Sequence, residues 1–112
     1  MKIKLFDAVS LHNVVSQLNI NCLDNDAEKL SLIRLTVRLK QYAQQWQDTV
    51  DTARAMASEQ ANALLNKEAQ TELEISDDLL ISPGSAEKLA VANTANLATG
   101  ALTYILEYLS KS

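Results

Sequence analysis

The chain has 112 residues, a formal net charge of −4 and a single cysteine, Cys22. This length predicts one domain, residues 1–112, and a lone thiol excludes both an internal disulfide and a paired-thiol metal or redox motif. Residues 1–40 contain six Lys and Arg against four Asp and Glu, and residues 41–112 contain four against ten, so the two parts carry +2 and −6. That basic excess is too small to favour nucleic acid as the partner, and no apolar run reaches the roughly 20 residues that span a membrane.

The predicted elements begin with a short strand and a short helix. Lysines alternate with apolar residues at the start of residues 2–6, which is typical of a half-buried strand. Asp7 stands where a helix N-cap is expected, and apolar residues then recur at helical spacing as far as Leu18. We therefore predict a strand over 2–6 and a helix over 8–18, followed by a reversal in the Asn- and Asp-rich segment that comes next.

A long central helix is predicted over residues 26–66. That range contains neither proline nor glycine, and apolar residues recur along it about every 3.6 residues, so they stay on one face of a helix. Asn25, with Glu28 three residues later, resembles a capping box at the start of this helix. The first turns are apolar on more than one side, which predicts deep burial of that end. The apolar residues in these turns are Leu30, Leu32, Ile33, Leu35, Val37 and Leu39.

The second half of this helix is the predicted contact surface. A straight helix of this length extends about 60 Å, whereas a compact domain of this size has a radius of gyration of about 13 Å. The alanine-rich segment 51–66 therefore either projects into a contact with another subunit or is covered by the C-terminal helix. Trp46 lies on the apolar stripe, where core packing is the first interpretation and an intersubunit anchor the second. The protein-interface candidates are Trp46, Val50, Ala53, Met56, Ala57, Ala61, Leu64, Leu65, Tyr104 and Tyr108.

A second strand and a C-terminal helix complete the predicted fold. Residues 71–75 alternate glutamates with apolar residues, so pairing with residues 2–6 would place opposite charges on one face and apolar side chains on the other. The Ser-Pro pair at 82–83 predicts the start of a helix over 83–110, and Gly100 favours a kink or a close crossing within it. The result is a mainly α fold with a minor β part: three main helices, including one long central helix, and a short two-stranded β-ribbon.

No residue pattern in the sequence points to catalysis, a metal or a cofactor. His12 is the only histidine, and no Cys, Asp or Glu stands at metal-ligand spacing from it. The pairs Asp24/Asp26 and Asp77/Asp78 are the alternatives for a hard cation or an acid–base couple, but both flank the starts of predicted elements, where capping and the helix dipole account for carboxylates. We therefore predict no catalytic residue, no metal site, no cofactor and no enzymatic activity.

Six segments of the chain carry a resemblance to known proteins. They are the opening Met-Lys-Ile-Lys-Leu-Phe-Asp-Ala, the short helix with Leu11 and Leu18, the Asn/Asp-rich turn, residues 29–42, the Glu-Leu-Glu-Ile strand and the Leu-rich C-terminal helix. Their order is similar to that of small uncharacterised helical proteins of tailed bacteriophages and prophages. The resemblance implies a virion structural or assembly component that acts through protein contacts, carries no catalytic residue, and is found in the virion or the host cytoplasm.

Two functions remain open from the sequence. The first is a non-enzymatic, phage-type structural or assembly protein that forms a homo-oligomer and contacts other virion or phage proteins. The second is a small acidic regulatory or inhibitor module that binds a host protein, with the −6 part of the chain facing a basic partner. The oligomeric state would separate them, because a stable oligomer favours assembly and a monomer that captures one host protein favours the regulator.

Overall fold

The computed structural model describes residues 1–111, which form five α-helices and one small sheet. The elements in chain order are β1 (Lys2–Lys4), α1 (Leu5–Val15), α2 (Asp26–Arg54), α3 (Ser58–Ala69), β2 (Glu72–Glu74), a 3-10 turn (Asp77–Leu79), α4 (Pro83–Ala92), α5 (Thr99–Tyr104) and a π-helical turn (Ile105–Leu109) that continues α5. The mainly α class, the long central helix and the two-stranded sheet are confirmed. The molecule measures 50 × 28 × 20 Å, and α2, at about 1.5 Å per residue, spans most of the longest dimension.

The two strands pair as their sequences predict, but over fewer residues. β1 and β2 are antiparallel, with Lys2 opposite Glu74, Ile3 opposite Leu73, and Lys4 opposite Glu72. Opposite charges therefore share the exposed face, while Ile3 is buried. The predicted strands 2–6 and 71–75 are too long, because the chain turns into α1 directly after Lys4.

Helix α1 starts three residues before its predicted first residue and ends three before its predicted end. Leu5, rather than residue 8, begins α1, so Asp7 lies in the first turn and is not the N-cap. Lys4 precedes the helix without a side-chain capping bond. Leu5 belongs to the same buried face as Ala8 and Leu11, and helical packing of its side chain against the core therefore overrides the strand pattern.

The start of α2 forms only half of the predicted capping box. The Asn25 side-chain oxygen accepts hydrogen bonds from the backbone N–H groups of Ala27 (2.9 Å) and Glu28 (3.2 Å), as an N-cap should. The Glu28 side chain does not bond back to Asn25. Its carboxylate instead accepts from the backbone N–H of Ser82 and from the hydroxyl of Ser85, and thereby connects α2 to the start of α4.

The predicted helix 26–66 is wrong in its second half, because α2 ends at Arg54 and α3 packs back against it. Met56 N–H donates to the Ala53 carbonyl at 3.0 Å, which closes a tight turn, and Ala57 is extended before α3 begins. Ala53 is buried within the chain, and the reversal lets α3, with Leu64 and Leu65 half-buried, pack on α2. Both predicted alternatives, a projecting helix and a helix covered by the C-terminal helix, are therefore replaced by a helical hairpin.

The predicted helix 83–110 is also interrupted. Its start is confirmed, since the Ser82 hydroxyl accepts from the Ser85 backbone N–H at 3.3 Å and Pro83 is the first helical residue. The break comes at Asn93, where α4 has ended, and not at Gly100, which lies in the first turn of α5. A Cβ at Gly100 would meet no atom within 4 Å, so no close crossing requires glycine there.

The Asn93 side chain explains the position of this break. Asn93 is fully buried, and its Oδ1 accepts from the Asn19 backbone N–H at 2.9 Å. Its Nδ2 donates to the Asn19 carbonyl at 3.2 Å and to the Leu89 carbonyl at 2.8 Å. One side chain thus caps the end of α4 and fixes the loop between α1 and α2, and every polar atom it buries is satisfied.

A single apolar core lies among α1, α2, the sheet and the C-terminal elements. Its largest fully buried apolar side chains are Leu5, Leu11, Leu23, Leu35, Leu39, Ile75, Ile81, Leu89, Ile105 and Leu109. The C-terminal turn is also held by backbone bonds, because Ile81 N–H donates to the Leu109 carbonyl at 2.9 Å and Lys111 N–H donates to the Ile81 carbonyl at 2.7 Å. On α2, the core-facing residues Leu32, Leu35 and Leu39 are buried by contacts within the chain.

Candidate functional site

The side of α2 that faces away from the core carries an apolar stripe that residues 1–111 leave about half exposed. Leu30, Ile33 and Val37 are 44%, 52% and 56% exposed. Their spacing of three and four residues places them in one line along the helix. Deep burial of this end of the helix was expected on all its apolar sides, and for these three residues that expectation is wrong. We call Leu30, Ile33 and Val37 the outer stripe of α2.

The outer stripe lies opposite the side of α2 that enters the core. Leu32, Leu35 and Leu39 are at most 3% exposed, although they alternate along the chain with the exposed residues. A helix that is apolar on two opposite sides needs a partner for each of them. The folded chain supplies the partner for one side only.

Two shallow apolar grooves border the stripe, and Ile33 lies between them. The first is lined by Ile33, Val37 and Leu79 together with the stems of Arg34 and Arg38 and with Gln41. The second lies on the other side, between α2 and the end of α1. Its lining residues are Val15, Leu18, Ile20, Leu32, Ile33 and Thr36. The stripe is therefore the ridge of a wider apolar surface that extends toward both neighbouring segments.

Four cationic side chains flank the outer stripe, two on each side by helical position. Arg34 and Arg38 border the groove with Leu79, and Lys29 and Lys40 lie on the opposite flank. Within residues 1–111, none of the four has a carboxylate oxygen within 4.0 Å. Elsewhere Lys88 pairs with Asp24 at 3.0 Å and Arg54 with Asp51 at 3.5 Å. The cations around the stripe are thus free to pair with an incoming group.

Carboxylates lie near this surface at two places: Asp26 is one helical turn before Leu30 on α2, and Glu74, Asp77 and Asp78 are on the arginine side. Asp77 and Asp78 line an adjoining cavity with Arg38 and Leu79. A hydrogen bond from the Ser76 hydroxyl is the main cause that lowers the pKa of Asp78, with smaller contributions from the charges of Lys111 and Arg34. Asp78 is therefore already bonded within its own turn, and Glu74 and Asp77 each have a carboxylate oxygen within 4.0 Å of the Met1 ammonium.

The interface candidates predicted from the sequence do not form one face. Ala53 is buried, while Met56 and Ala57 are exposed at the turn between α2 and α3. The other seven are half-buried: Trp46, Val50, Ala61, Leu64, Leu65, Tyr104 and Tyr108. Because α3 packs back against α2, Leu64 and Leu65 are half-buried within the chain, although α3 has no fully buried residue.

Trp46 and the two C-terminal tyrosines each have aromatic partners. The edge of one ring faces the other in the Phe6–Trp46 pair, with ring centroids 6.1 Å apart. The predicted ridge of Tyr104 and Tyr108 is a stacked pair with centroids 5.4 Å apart. Burial, followed by the negative charges of Asp7 and Glu107, raises the pKa of Tyr108. Trp46, Tyr104 and Tyr108 are half-buried in these pairs, whereas Phe6 is 52% exposed.

The chemically reactive residues are dispersed. Within residues 1–111, no group of three His, Cys, Asp or Glu side chains is close enough to hold a metal ion. His12 is half-buried on α1, with its Nε2 3.4 Å from the Ser16 hydroxyl, and Cys22 is half-buried in the following loop. None of the described helices combines the length and the apolar character that a membrane crossing requires.

Comparison of the chain with protein-family models, curated protein sequences and solved structures gives no match. The outer stripe is consequently identified from geometry alone. In the sequence, the spacing of the apolar residues at 30, 33 and 37 indicates a second apolar side of the helix. The spacing does not indicate whether that side is exposed or buried.

Proposed function

We propose that this protein is a non-enzymatic binding protein that acts through protein–protein contacts, and that the outer stripe of α2 is its contact surface. The observation that carries the proposal is the exposure of Leu30, Ile33 and Val37 on the side of α2 opposite the core. Contiguous exposed apolar surface on a small domain usually marks a site of interaction. The two grooves beside Ile33 extend that surface beyond three side chains.

The energetics favour a partner over permanent exposure. Burying one large aliphatic side chain stabilises a folded or bound state by about 1.5 to 3 kcal/mol relative to leaving it in water. Three half-exposed side chains in one line can therefore contribute several kcal/mol to binding. They contribute little to folding, because the core of this chain is complete without them.

We further propose that the contact serves assembly. The resemblance to small proteins of tailed bacteriophages and prophages supports a virion structural or assembly role, in the virion or the host cytoplasm. Because α3 folds back on α2, the contact surface proposed here is in the first half of α2 and replaces the alanine-rich half that the sequence favoured. A homo-oligomer formed through another surface is compatible with this role.

A regulatory module that binds a host protein is the second candidate. One observation favours it: the cations around the outer stripe belong to the +2 part of the chain and lack ion-pair partners within residues 1–111. Such a surface can bind one host protein, and it can equally bind a neighbouring component of a particle. In this form of the candidate the binding surface is basic and apolar, and the −6 part of the chain is not the contact.

Site-specific photocrosslinking tests the proposed function. We would place benzoylphenylalanine at position 33 in cells that produce the protein naturally, with position 91 as the matched control, because Val91 is an apolar helix residue that is 71% exposed on α4. We expect a discrete adduct from position 33 and none of the same mass from position 91. Absence of an adduct at 33, or identical adducts from both positions, would contradict the proposal.

The mass of the adduct separates the two candidates. An adduct with another component of a virion or of its assembly pathway supports the assembly role. An adduct with a host protein that is absent from particles supports the regulatory role. The two outcomes require the same surface but assign it to different partners.

A further inference from the structure

We propose that the outer stripe of α2 binds an amphipathic α-helix of another protein, and that acidic residues border the apolar face of that helix. This inference rests on the proposed function, because it specifies the partner of the same surface. It is argued from the shape of the stripe and from the distribution of charge around it.

The shape of the surface suits a helix. Leu30 and Val37 are seven positions apart, so the stripe extends about 10.5 Å, or two helical turns. Apolar grooves lie on both sides of Ile33, so a helix crossing or running along α2 can place its own apolar side chains in them. Helices that dock in this way present anchors at spacings of three, four and seven residues, which match the spacing of the stripe itself.

The positive charge around the stripe favours acidic residues on both sides of the apolar face of the incoming helix. Segment 26–41 contains Lys29, Arg34, Arg38 and Lys40 against Asp26 and Glu28, so it carries +2 in a chain whose net charge is −4. The carboxylate of Glu28 is already bonded to Ser82 and Ser85. Acidic residues on both borders of a bound helix would meet arginines on one flank and lysines on the other.

The same charges disfavour a second copy of this chain as the occupant. A two-fold symmetric contact centred on the stripe brings identical surfaces together, so the four cations would approach their own counterparts. Like charges placed opposite each other disfavour an interface. Most neighbouring carboxylates already have partners, since Asp24 pairs with Lys88, Asp77 with the Met1 ammonium, and Asp78 with Ser76. Asp26, at the Lys29 end, is one carboxylate against four cations and does not offset their repulsion.

A displayed peptide library tests the inference. Peptides of about 20 residues would carry leucines at positions i, i+3, i+4 and i+7, and all the remaining positions would be randomised. Binders of the purified protein would be selected, and binders of the variant Ile33→Gln/Val37→Gln would be removed. We expect the remaining peptides to be enriched in Asp and Glu beside the leucines. Their affinity should fall at least about tenfold on raising NaCl from about 50 to 500 mM, because exposed ion pairs are screened.

Two variants establish which residues the selected peptides contact. Arg34→Glu/Arg38→Glu should weaken binding of the acidic peptides by about tenfold or more, since two attractive contacts become repulsive. Val91→Ser, at an exposed apolar position on α4 outside the stripe, should leave binding unchanged. Circular dichroism and urea unfolding of each variant would show that the fold is retained.

Each other outcome overturns the inference. Stripe-dependent peptides that are neutral or basic would refute the acidic partner but leave the contact surface in place. A selection that leaves no peptide, because every binder also binds Ile33→Gln/Val37→Gln, would refute the stripe as a helix-binding site. A dimer of the wild-type chain that this double substitution dissociates would identify a second copy as the occupant. The photocrosslinking at position 33 reports separately on the proposed function in all three cases.

Discussion

The Glu28 carboxylate accepts a 2.6 Å hydrogen bond from the Ser85 hydroxyl, although the two residues lie 57 positions apart in the chain. The backbone N–H of Ser82 donates to the same carboxylate at 2.8 Å. A negative group in the first turn of α2 thus also lies at the positive N-terminal end of α4, where the helix dipole favours it. This contact joins the central helix to the C-terminal part of the molecule.

Replacement of Glu28 by Gln should destabilise the protein. The substitution keeps the size of the side chain but removes the charge that strengthens both hydrogen bonds, and we expect a loss of about 1 kcal/mol in the free energy of unfolding at pH 7. Glu87→Gln is the matched control, because Glu87 is exposed on α4 and its carboxylate accepts no hydrogen bond within residues 1–111. Urea unfolding measures both, and equal stabilities for the two variants would contradict the role of Glu28.

The same contact predicts a pH dependence. The Ser85 hydroxyl, followed by the Ser82 backbone N–H, lowers the pKa of Glu28 below its ordinary value of 4.5. Because the folded-state pKa is depressed, the stabilisation is fully present above the unfolded-state pKa and is lost as the pH falls through the folded-state pKa. The stability difference between wild type and Glu28→Gln should therefore be constant at neutral pH and shrink on acidification below the ordinary value. A difference that does not change with pH would rule out the charge as its source.

Asn93 should be among the most sensitive polar positions. Asn93→Leu keeps a similar volume but leaves the backbone N–H and carbonyl of Asn19 without their partner in a part-buried site, and we expect a loss of about 2 to 4 kcal/mol. Asn96→Ala removes only the 3.3 Å bond to the Asn93 Oδ1 and should cost under about 1 kcal/mol. Thermal unfolding compares them, and a tolerated Asn93→Leu would show that the buried asparagine is not needed to fix the loop.

The strand-to-helix junction offers a contrast between neighbouring residues. Leu5 is fully buried as the first residue of α1, so Leu5→Asp should abolish cooperative unfolding or cost more than about 3 kcal/mol. Lys4→Glu places like charges opposite each other at the exposed pair with Glu72, and should cost under about 1 kcal/mol. Calorimetry distinguishes them. Similar losses of stability from the two substitutions would contradict the boundary between β1 and α1 at residues 4 and 5.

The helical hairpin is tested by two alanines that a straight helix would place on the same face. Ala53 is buried, whereas Ala57 is exposed just before α3. Ala53→Glu should cost more than about 2 kcal/mol, because it buries a carboxylate without a partner, and Ala57→Glu should change stability by no more than about 0.5 kcal/mol. Urea unfolding with equal losses for both would support a continuous helix through residues 54–58 and contradict the hairpin.

The sequence predicted the strand pairing and the helix caps, because both depend on residues that are close together in the chain or that alternate regularly. The charges and alternation of β1 and β2 predicted which faces they share, and the caps at Asn25 and Ser82 follow from side chains that bond the backbone next to them. The break after Arg54 has no such signal, because alanine favours a helix and neither glycine nor proline marks the turn. Packing of α3 on α2 decides it, and that contact is not visible in a local pattern.

The candidate site was missed for a related reason. Apolar periodicity shows which sides of a helix are apolar, but not what covers each side. Leu32 and Ile33 are neighbours in the same apolar segment, yet one is buried and the other is 52% exposed. Only the positions of α1, the 3-10 turn and the C-terminal elements determine that one side of α2 is covered and the other is open.

Urea unfolding of two double variants shows whether the outer stripe serves binding or folding. One variant is Ile33→Gln/Val37→Gln in the stripe, and the other is Leu35→Gln/Leu39→Gln in the core. The first pair of substitutions should change stability by no more than about 1 kcal/mol, because exposed positions tolerate a good helix former. The second pair should eliminate cooperative unfolding, because it places two amides in the core. A loss of more than about 2 kcal/mol in the outer pair would mean that Ile33 and Val37 serve folding, because such a loss is typical of core side chains.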